Sequence, residues 1–235
     1  MTPTDQLPLP LLPVRTARGR EDFFVSPANA LAVAIIDGWQ LWPAGKCLLT
    51  GPTGSGKTHL AHVWAQSSGA RIVPADGLGS ADIPTLATAP VCIENAETIA
   101  GDRGLEEALF HLHNLALAHA QPMLITARTA PALWGLILPD LHSRMMGTQM
   151  VRLEDPDDAL LSALLTKLFS DRQITPAPEV LSFLVKHMPR SHRAAAQIVA
   201  ELDAAGLAKQ GAVTRPLAVA VMARLALDGA EAHNG

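Results

Sequence analysis

The segment from Gly51 to Thr58, which reads Gly-Pro-Thr-Gly-Ser-Gly-Lys-Thr, constrains the fold of this chain more than any other. It lies between a short apolar run that ends at Thr50 and a segment of helical periodicity from His59 to Gln66. Glycines in such a turn let several backbone N–H groups converge on one anion, because no side chain blocks the approach and positive φ is open to them. This succession of strand, loop and helix predicts a P-loop, which binds the phosphates of a nucleotide.

Each part of the P-loop has a predicted contact. We expect Lys57 to place its charge on the outer phosphates and the hydroxyl of Thr58 to ligate Mg²⁺. The helix that follows directs the positive end of its dipole at the same phosphates. The nucleotide-binding residues predicted in this segment are Gly51, Pro52, Thr53, Gly54, Ser55, Gly56, Lys57 and Thr58.

The alternation of strands and helices predicts the fold class. Short apolar strands are predicted at 46–50, 71–73, 91–94, 123–126 and 149–153, and helical patterns lie between them. This is typical of an α/β domain with a parallel sheet covered on both faces. From Asp155 onward only helices are predicted, at 156–172, 177–187, 190–209 and 215–227. We therefore expect an extended N-terminal arm over 1–22, an α/β nucleotide-binding domain over 23–154 and a small all-helical domain over 155–235.

Composition excludes several classes of protein. Hydrophobic residues make up 49% of the chain and charged residues 17%, which excludes general disorder. A net charge of −4 provides no broad positive surface for DNA. Cys47 and Cys92 each lie in an apolar run and cannot form a disulfide framework. With no signal peptide or membrane-length apolar span in the pattern, we expect a cytoplasmic protein that does not contact a membrane.

Glu94 is the candidate acid for a metal site. It ends the predicted 91–94 strand, where a P-loop ATPase needs a carboxylate to hold the water shell of Mg²⁺. The alternative is that Glu94 only caps the strand. The next residue is Asn95, whose amide cannot accept a proton from an attacking water, so we expect nucleotide binding to outlast efficient hydrolysis.

Four further residues leave two interpretations open. Thr126 ends a strand, where its hydroxyl can contact a γ-phosphate or simply satisfy the strand end. Arg144 is either a surface arginine or a group that reaches the γ-phosphate of a neighbouring subunit. Arg190 and Arg193 lie one turn apart at a helix start, where one of them can fold over the nucleotide or both can be solvated.

The N-terminal arm contains the hexapeptide Gln-Leu-Pro-Leu-Pro-Leu from Gln6 to Leu11. An extended peptide with a leading glutamine and spaced leucines can dock in an apolar groove, and proline reduces the entropy lost on docking. The alternative is a proline-rich tail without a partner.

Together these residues resemble the AAA+ family of the bacterial replication initiator DnaA and, within it, the Hda type that inactivates DnaA. The segment from Phe23 to Leu31 is similar to the part of the family that leads into the adenine pocket. The segment from Val91 to Asn95, followed by Ala100-Gly101-Asp102, is similar to the Hda pattern, in which asparagine follows the metal-site acid. Glu94 departs from the usual aspartate of that pattern.

The resemblance implies roles for individual residues. It makes Thr126 part of the sensor 1 strand, Arg144 an arginine finger that acts in trans, and Arg190 the sensor 2 arginine of a helical lid. It adds Phe24, Val25 and Asn29 to the nucleotide-binding residues. It also implies that the arm binds the DNA polymerase sliding clamp, the β subunit, through Gln6, Leu7, Leu9 and Leu11. The implied cofactors are ADP or ATP with Mg²⁺.

By the same resemblance, the expected function is regulation of replication initiation. The protein would bind adenine nucleotide and the clamp and stimulate ATP hydrolysis by DnaA, while its own hydrolysis stays weak. Initiators of the family continue into a helix-turn-helix domain, but this chain ends soon after the helix predicted around 219–227, so we expect no sequence-specific DNA binding. The alternatives are a stand-alone AAA+ ATPase of the helicase-loader type and a DnaA-like initiator relative. Self-association stays open.

Overall fold

A five-stranded parallel sheet forms the centre of the molecule. The computed structural model describes residues 24–209 and 212–231, so the N-terminal arm and its hexapeptide lie outside the described residues. The strands are β1 (Lys46–Thr50), β2 (Arg71–Pro74), β3 (Val91–Glu94), β4 (Met123–Ala127) and β5 (Gln149–Arg152). They pair in the order β2-β3-β4-β1-β5, and every pair is parallel. The predicted α/β fold class with a parallel sheet is therefore confirmed.

The helices connect the strands and then continue alone after the last strand. They are α1 (Ala30–Asp37), α2 (Lys57–Ser68), α3 (Ile83–Leu86), α4 (Arg103–Ala118), α5 (Pro139–Met146), α6 (Asp158–Ser170), α7 (Pro178–His187), α8 (His192–Lys209) and α9 (Arg215–Glu231). Among the described residues, no helix is both long enough and apolar enough to cross a membrane.

The start of α1 differs from what its local sequence favours. Ser26 followed by Pro27 is typical of a helix start with proline in the first turn, yet α1 begins at Ala30. Ser26 and Asn29 instead form a turn, in which the Ser26 N–H donates to Asn29 Oδ1 at 2.8 Å and the Asn29 N–H donates to the Ser26 carbonyl at 3.1 Å. A side chain that bonds nearby backbone competes with the helix in this way.

The central strands are apolar throughout because both faces of the sheet are covered. Successive side chains of a strand point to opposite faces. Leu48 of β1 and Ile125 of β4 therefore belong to one buried cluster, together with residues of α4. Leu49 and Leu124, the next residue on β1 and the one before on β4, belong to the cluster on the other face, together with residues of α2. Full burial of each such side chain contributes about 1.5–3 kcal/mol to folding.

The parallel register collects the predicted site residues at one edge of the sheet. Leu49 pairs with Thr126 and Ile93 pairs with Ile125, so the carboxyl ends of β1, β3 and β4 lie side by side. The P-loop leaves β1 at this edge, and Glu94 ends β3 there. Ligands of open parallel sheets bind at this edge because the loops there connect strands to helices on both faces.

The four helices after β5 have a core of their own. Its buried residues include Leu161, Leu165 and Phe169 of α6, Leu184 of α7 and Leu202 of α8. Asp157 caps α6, because its carboxylate accepts from the Leu160 N–H at 2.8 Å. The change from α/β to helical structure falls between β5 and α6. The domain boundary near Glu154 stays a prediction.

Candidate functional site

Three glycines give the loop after β1 its shape. Gly51, Gly54 and Gly56 have φ values of 151°, 83° and 105°, in the region that side chains rarely adopt. A Cβ added at Gly51 would lie 2.5 Å from the carbonyl oxygen of Leu153. The loop is therefore restricted to glycine by conformation and by space, and Gly56 leads directly into the N-terminus of α2.

Lys57 is buried inside the loop. Its Nζ donates to the carbonyl oxygens of Gly51 and Pro52, at 2.7 and 2.9 Å. Burial lowers the pKa of Lys57, while the charges of Glu97 and Glu94 raise it. The ammonium group therefore lies against the carbonyl oxygens of the loop.

A cavity of about 760 Å³ opens between the P-loop and the helices after β5. Its polar wall contains the predicted residues Thr53, Gly54, Gly56, Lys57 and Thr58. Its apolar wall is formed by α6 and α8 together with the segment before α1, through Phe24, Val25, Leu160, Ala163, Leu164, Leu168 and Ala196. A cavity of this size, with one polar and one apolar wall, fits a small ligand that is charged at one end and apolar at the other.

Several residues that were predicted to contact the nucleotide do not line the cavity. Gly51, Pro52 and Ser55 complete the loop without lining the cavity. Asn29, predicted to bind nucleotide, is buried, and its amide donates to the carbonyl of Phe24 at 2.9 Å. Asn29 therefore holds the segment that carries Phe24 and Val25, because both hydrogen-bonding ends of its amide are used by that backbone.

The end of β3 carries a carboxylate and an amide, Glu94 and Asn95, and β4 carries the hydroxyl of Thr126 next to them. Glu94 Oε1 is buried and has no hydrogen-bond partner among the described residues. Asn95 adopts a left-handed conformation, with φ of 57°, and lines the cavity. Its N–H donates to Thr126 Oγ1 at 3.2 Å. Through this bond Thr126 joins β4 to the end of β3. Thr126 is buried and does not line the cavity.

The structure fits a hydrated Mg²⁺ at this edge. Mg²⁺ keeps several waters and is commonly held by one or two protein oxygens together with ligand phosphates. Thr58 is exposed and lines the cavity, and Glu94 has a buried carboxylate oxygen without a hydrogen-bond partner among the described residues. The described residues contain no cluster of three histidine, cysteine or acidic side chains that would hold a metal alone.

Arg144 lies far from this chain's own P-loop. It is exposed on α5 and does not line the cavity. Burial lowers the pKa of Lys46, and the charge of Arg144 lowers it further. Lys46 is the first residue of β1, and four steps of about 3.3 Å separate it from Thr50, at the edge that bears the loop. Arg144 therefore lies away from the P-loop edge of its own sheet and outside its own cavity.

Of the two arginines near the start of α8, Arg193 lines the cavity, and Arg190, which was predicted to bind nucleotide, does not. Arg193 lies in the first turn of α8 and lines the cavity wall. Arg190 precedes α8, donates to the carbonyl of Pro156 at 2.9 Å and forms an ion pair with Asp158. The carboxylate at the start of α6 draws Arg190 away from the loop, which the one-turn spacing of the two arginines did not reveal.

His192 is a site residue that sequence reasoning missed. Its N–H donates to the carbonyl oxygen of Gly54 at 2.8 Å, and its Nδ1 lies 3.2 Å from the same oxygen. Burial lowers the pKa of His192, which keeps its ring neutral near neutral pH. The start of α8 therefore rests directly on the P-loop. As one of nine histidines in the chain, His192 had no local signal to mark it.

The fold and the loop together define a P-loop protein with the AAA+ fold. No family model matches the chain. The structure is similar to the crystal structure of domain III from the Thermotoga maritima replication initiation protein DnaA, with a TM-score of 0.77 and 18% identity over 92% of this chain and 98% of that chain. It is also similar to AMPPCP-bound DnaA from Aquifex aeolicus, with a TM-score of 0.67 and 16% identity over 77% of this chain and 63% of that chain.

A third similar structure is the replication initiator DnaA bound to AMPPCP and single-stranded DNA, with a TM-score of 0.68 and 16% identity. That match covers 81% of this chain and 66% of the initiator. This chain therefore matches nearly all of an isolated DnaA domain III and a little under two thirds of the longer initiator structures.

Proposed function

We propose that this protein is an adenine-nucleotide-binding AAA+ adaptor that binds the DNA polymerase sliding clamp and stimulates ATP hydrolysis by DnaA. In that role it would be a negative regulator of replication initiation, because DnaA would be left in its ADP form. The observation that carries the proposal is the cavity between the P-loop and α8, in a chain with the fold of DnaA domain III.

Nucleotide binding is supported by the two unlike walls of the cavity. Backbone N–H groups of the loop, Lys57 and the N-terminus of α2 would hold the phosphates. Phe24, Val25 and the apolar side chains of α6 would enclose the adenine. Thr58 and Glu94 would hold Mg²⁺, which neutralises phosphate charge when bound. Two of the similar DnaA structures carry AMPPCP, which supports ATP or ADP as the ligand.

Slow turnover by this protein itself is supported by Asn95. This residue lines the cavity beyond the end of β3, where an efficient ATPase would carry an acid to polarise the attacking water. An amide orients water but cannot take its proton. Arg193, in the first turn of α8, would cover the phosphates and couple the helical lid to the bound nucleotide.

Action on DnaA is supported by the position of Arg144. A guanidinium supplied by one subunit can stabilise the charge that develops on the γ-phosphate of its neighbour. Arg144 is exposed on α5, away from its own P-loop, where a neighbouring molecule of similar fold can approach it. The sliding-clamp contact rests on the resemblance of the segment from Gln6 to Leu11 to the hexapeptide of Hda proteins.

The function is tested by ATP hydrolysis by purified DnaA, with and without this protein, in the presence of sliding clamp loaded on DNA. We expect stimulation that requires all three components, and we expect Arg144→Ala to reduce it by about 100-fold or more, since arginine fingers contribute about 10³–10⁵ in rate. The variant should keep its affinity for nucleotide and clamp. Arg152→Ala, which removes another exposed arginine, is the matched control.

Two results would contradict parts of this proposal. If Arg144→Ala stimulates DnaA as well as the unchanged protein does, Arg144 is not the arginine finger. If this protein hydrolyses ATP rapidly alone and has no effect on DnaA, the stand-alone ATPase is the better description. The initiator-like alternative would instead show tight duplex DNA binding that weakens steeply with salt.

Clamp binding has its own expected result. Gln6→Ala combined with Leu9→Ala should abolish binding to the immobilised clamp, because the glutamine and the spaced leucines would supply the contacts. ATP affinity should stay unchanged. Leu12→Ala, just outside the hexapeptide, is the control and should bind the clamp normally. Loss of nucleotide binding in the double variant would show that the arm belongs to the folded domain.

A further inference from the structure

Two cations lie together at the amino-terminal edge of the sheet, the edge opposite the P-loop. Lys46 begins β1 and is half-buried, and Arg144 is exposed near the end of α5. The strand register brings them together, because Cys47 pairs with Gln149 and the residue before Gln149 therefore lies next to Lys46. That residue is Thr148, whose Oγ1 donates to the carbonyl of Arg144 at 2.8 Å. The backbone of Arg144 is thus fixed beside the start of β1.

A buried histidine holds the ammonium group of Lys46. His113 of α4 is only 2% exposed, and its Nε2 lies 2.6 Å from Lys46 Nζ. An ammonium can only donate, so Nε2 accepts and the ring carries its proton on Nδ1, which lies 3.3 Å from Asn114 Oδ1. Burial lowers the pKa of His113, and the charge of Lys46 lowers it further, so the ring is neutral near neutral pH. The bond to His113 uses one of the three donors of Lys46 and leaves two.

No carboxylate compensates these two cations. Among the residues that the structure describes, neither Lys46 nor Arg144 forms an ion pair with an acidic side chain, and the Arg144 guanidinium makes no hydrogen bond. The charge of Arg144 lowers the pKa of both Lys46 and His113, so the two cations are close enough to repel each other. Like charges at a partly buried position are unfavourable unless an anion pairs with them. The pair therefore has both the charge and the unused donors to bind one anion.

We propose that Lys46 and Arg144 form a second anion site, which binds a phosphoryl group at the edge of the sheet opposite the nucleotide cavity. The planar fork of an arginine binds phosphate through two donors, and a lysine adds a point charge. A phosphoryl group has oxygens in several directions, so it can accept from two side chains that come from different elements. The group can be free orthophosphate or the terminal phosphate of a nucleotide on a neighbouring molecule. Only the second source rests on the proposed function, in which Arg144 reaches the nucleotide of DnaA.

Titration with inorganic phosphate at constant pH, followed by NMR of the histidine rings, tests the site directly. His113 reports on it because its Nε2 bonds Lys46, and His192 reports separately on phosphate at the P-loop, where it contacts Gly54. We expect the His113 signals to shift to saturation with phosphate but not with chloride at equal ionic strength. Lys46→Gln keeps a donor for His113 but removes the charge. It should weaken this binding by about 10-fold or more, the range for hydrogen bonds to charged groups.

The second cation and two matched controls complete the set of variants. Arg144→Gln should weaken phosphate binding at His113 to a similar extent. Lys186→Gln on α7 and Arg224→Gln on α9 each remove one exposed charge elsewhere and should leave the His113 titration unchanged. Before phosphate is added, the His192 signals should be the same in all four variants, because none of the substituted residues lines the cavity. This agreement shows that each variant is folded.

Stimulation of DnaA distinguishes the two sources of the phosphoryl group. If it belongs to the nucleotide of DnaA, Lys46→Gln should lower the maximal stimulation of ATP hydrolysis by about 10-fold or more and keep its affinity for nucleotide and clamp. If the ligand is free orthophosphate, Lys46→Gln should stimulate DnaA as the unchanged protein does.

Three results would overturn the inference. These are His113 signals that do not move with phosphate, signals that move equally with chloride, and a phosphate titration that is the same in Lys46→Gln, Arg144→Gln and the unchanged protein. If the unchanged protein fails to stimulate DnaA, the proposed function fails instead, and the phosphate titration still decides whether the anion site exists.

Discussion

Lys57→Ala is expected to weaken ATP binding by this protein by about 100-fold or more, since a hydrogen bond to a charged group contributes about 1.5–3 kcal/mol and Lys57 would make at least two to the phosphates. The side chain already lies inside the loop, with Nζ within hydrogen-bond distance of the carbonyls of Gly51 and Pro52. Little rearrangement is needed for it to reach the phosphates. Titration of ATP, followed by calorimetry, measures the loss.

The control for this variant is Lys186→Ala, which removes an exposed lysine on α7 that lies outside the cavity and should leave ATP affinity unchanged. Circular dichroism of Lys57→Ala should match that of the unchanged protein, because alanine is well accepted in the first turn of α2. Undiminished ATP affinity in a folded Lys57→Ala protein would show that the cavity is not a P-loop nucleotide site.

The second large effect is expected for Gly54→Ala. A Cβ at Gly54 would lie 2.5 Å from the Cβ of Ser191, at the start of α8, so the helix must move away from the loop. Overpacking of this kind costs about 1–3 kcal/mol. Because α8 also carries Arg193 to the cavity, we expect a fall in ATP affinity of about 10-fold or more in addition to a loss of stability.

Gly69→Ala distinguishes the strain of a left-handed alanine from the clash with α8, the two sources of the stability loss expected for Gly54→Ala. Gly69 ends α2 with φ of 74°, and a Cβ there would meet nothing within 4 Å. Both variants carry the strain of a left-handed alanine, about 1–2 kcal/mol, but only Gly54→Ala pushes against α8. Urea unfolding should show the larger loss for Gly54→Ala, and ATP affinity should fall in that variant alone.

A second substitution should restore the ATP affinity that Gly54→Ala loses. Ser191→Gly in the Gly54→Ala background removes the atoms that clash and should restore most of the ATP affinity. Ser191 also caps α8, where its Oγ accepts from the Ala194 N–H at 2.9 Å, but glycine at such a position costs only a few tenths of a kcal/mol. Equal ATP affinities in Gly54→Ala and Gly69→Ala would mean that α8 does not rest on the loop in solution.

Much of the fold was predictable because its signals are local. Five apolar runs predicted five strands, and each strand is present within about two residues of its expected bounds, the usual accuracy of boundary assignment. Helices α6 to α9 followed from apolar spacing, with proline near their starts in α7 and α9. The exception was α1, whose start at Ala30 depends on a side-chain turn formed by Ser26 and Asn29.

The site was predictable only in part. The P-loop and its cavity-lining residues, such as Lys57 and Thr58, could be identified from a short motif. Arg190 and Asn29 were predicted to bind nucleotide, and the sequence did not reveal that their side chains bond to Asp158 and to the backbone of Phe24 and do not line the cavity. A motif predicts which residues are near a site, whereas the direction of each side chain depends on the partners that the fold brings to it.

The sequence by itself determined the conformation of the P-loop and the set of strands and helices, because glycine content and apolar spacing act within a few residues. Only the tertiary structure decided the contacts that join distant parts of the chain. Arg128 meets Glu97 across 31 residues, and His192 meets Gly54 across 138. No local pattern encodes such contacts, since they depend on the strand order and on how the helical part packs over the loop.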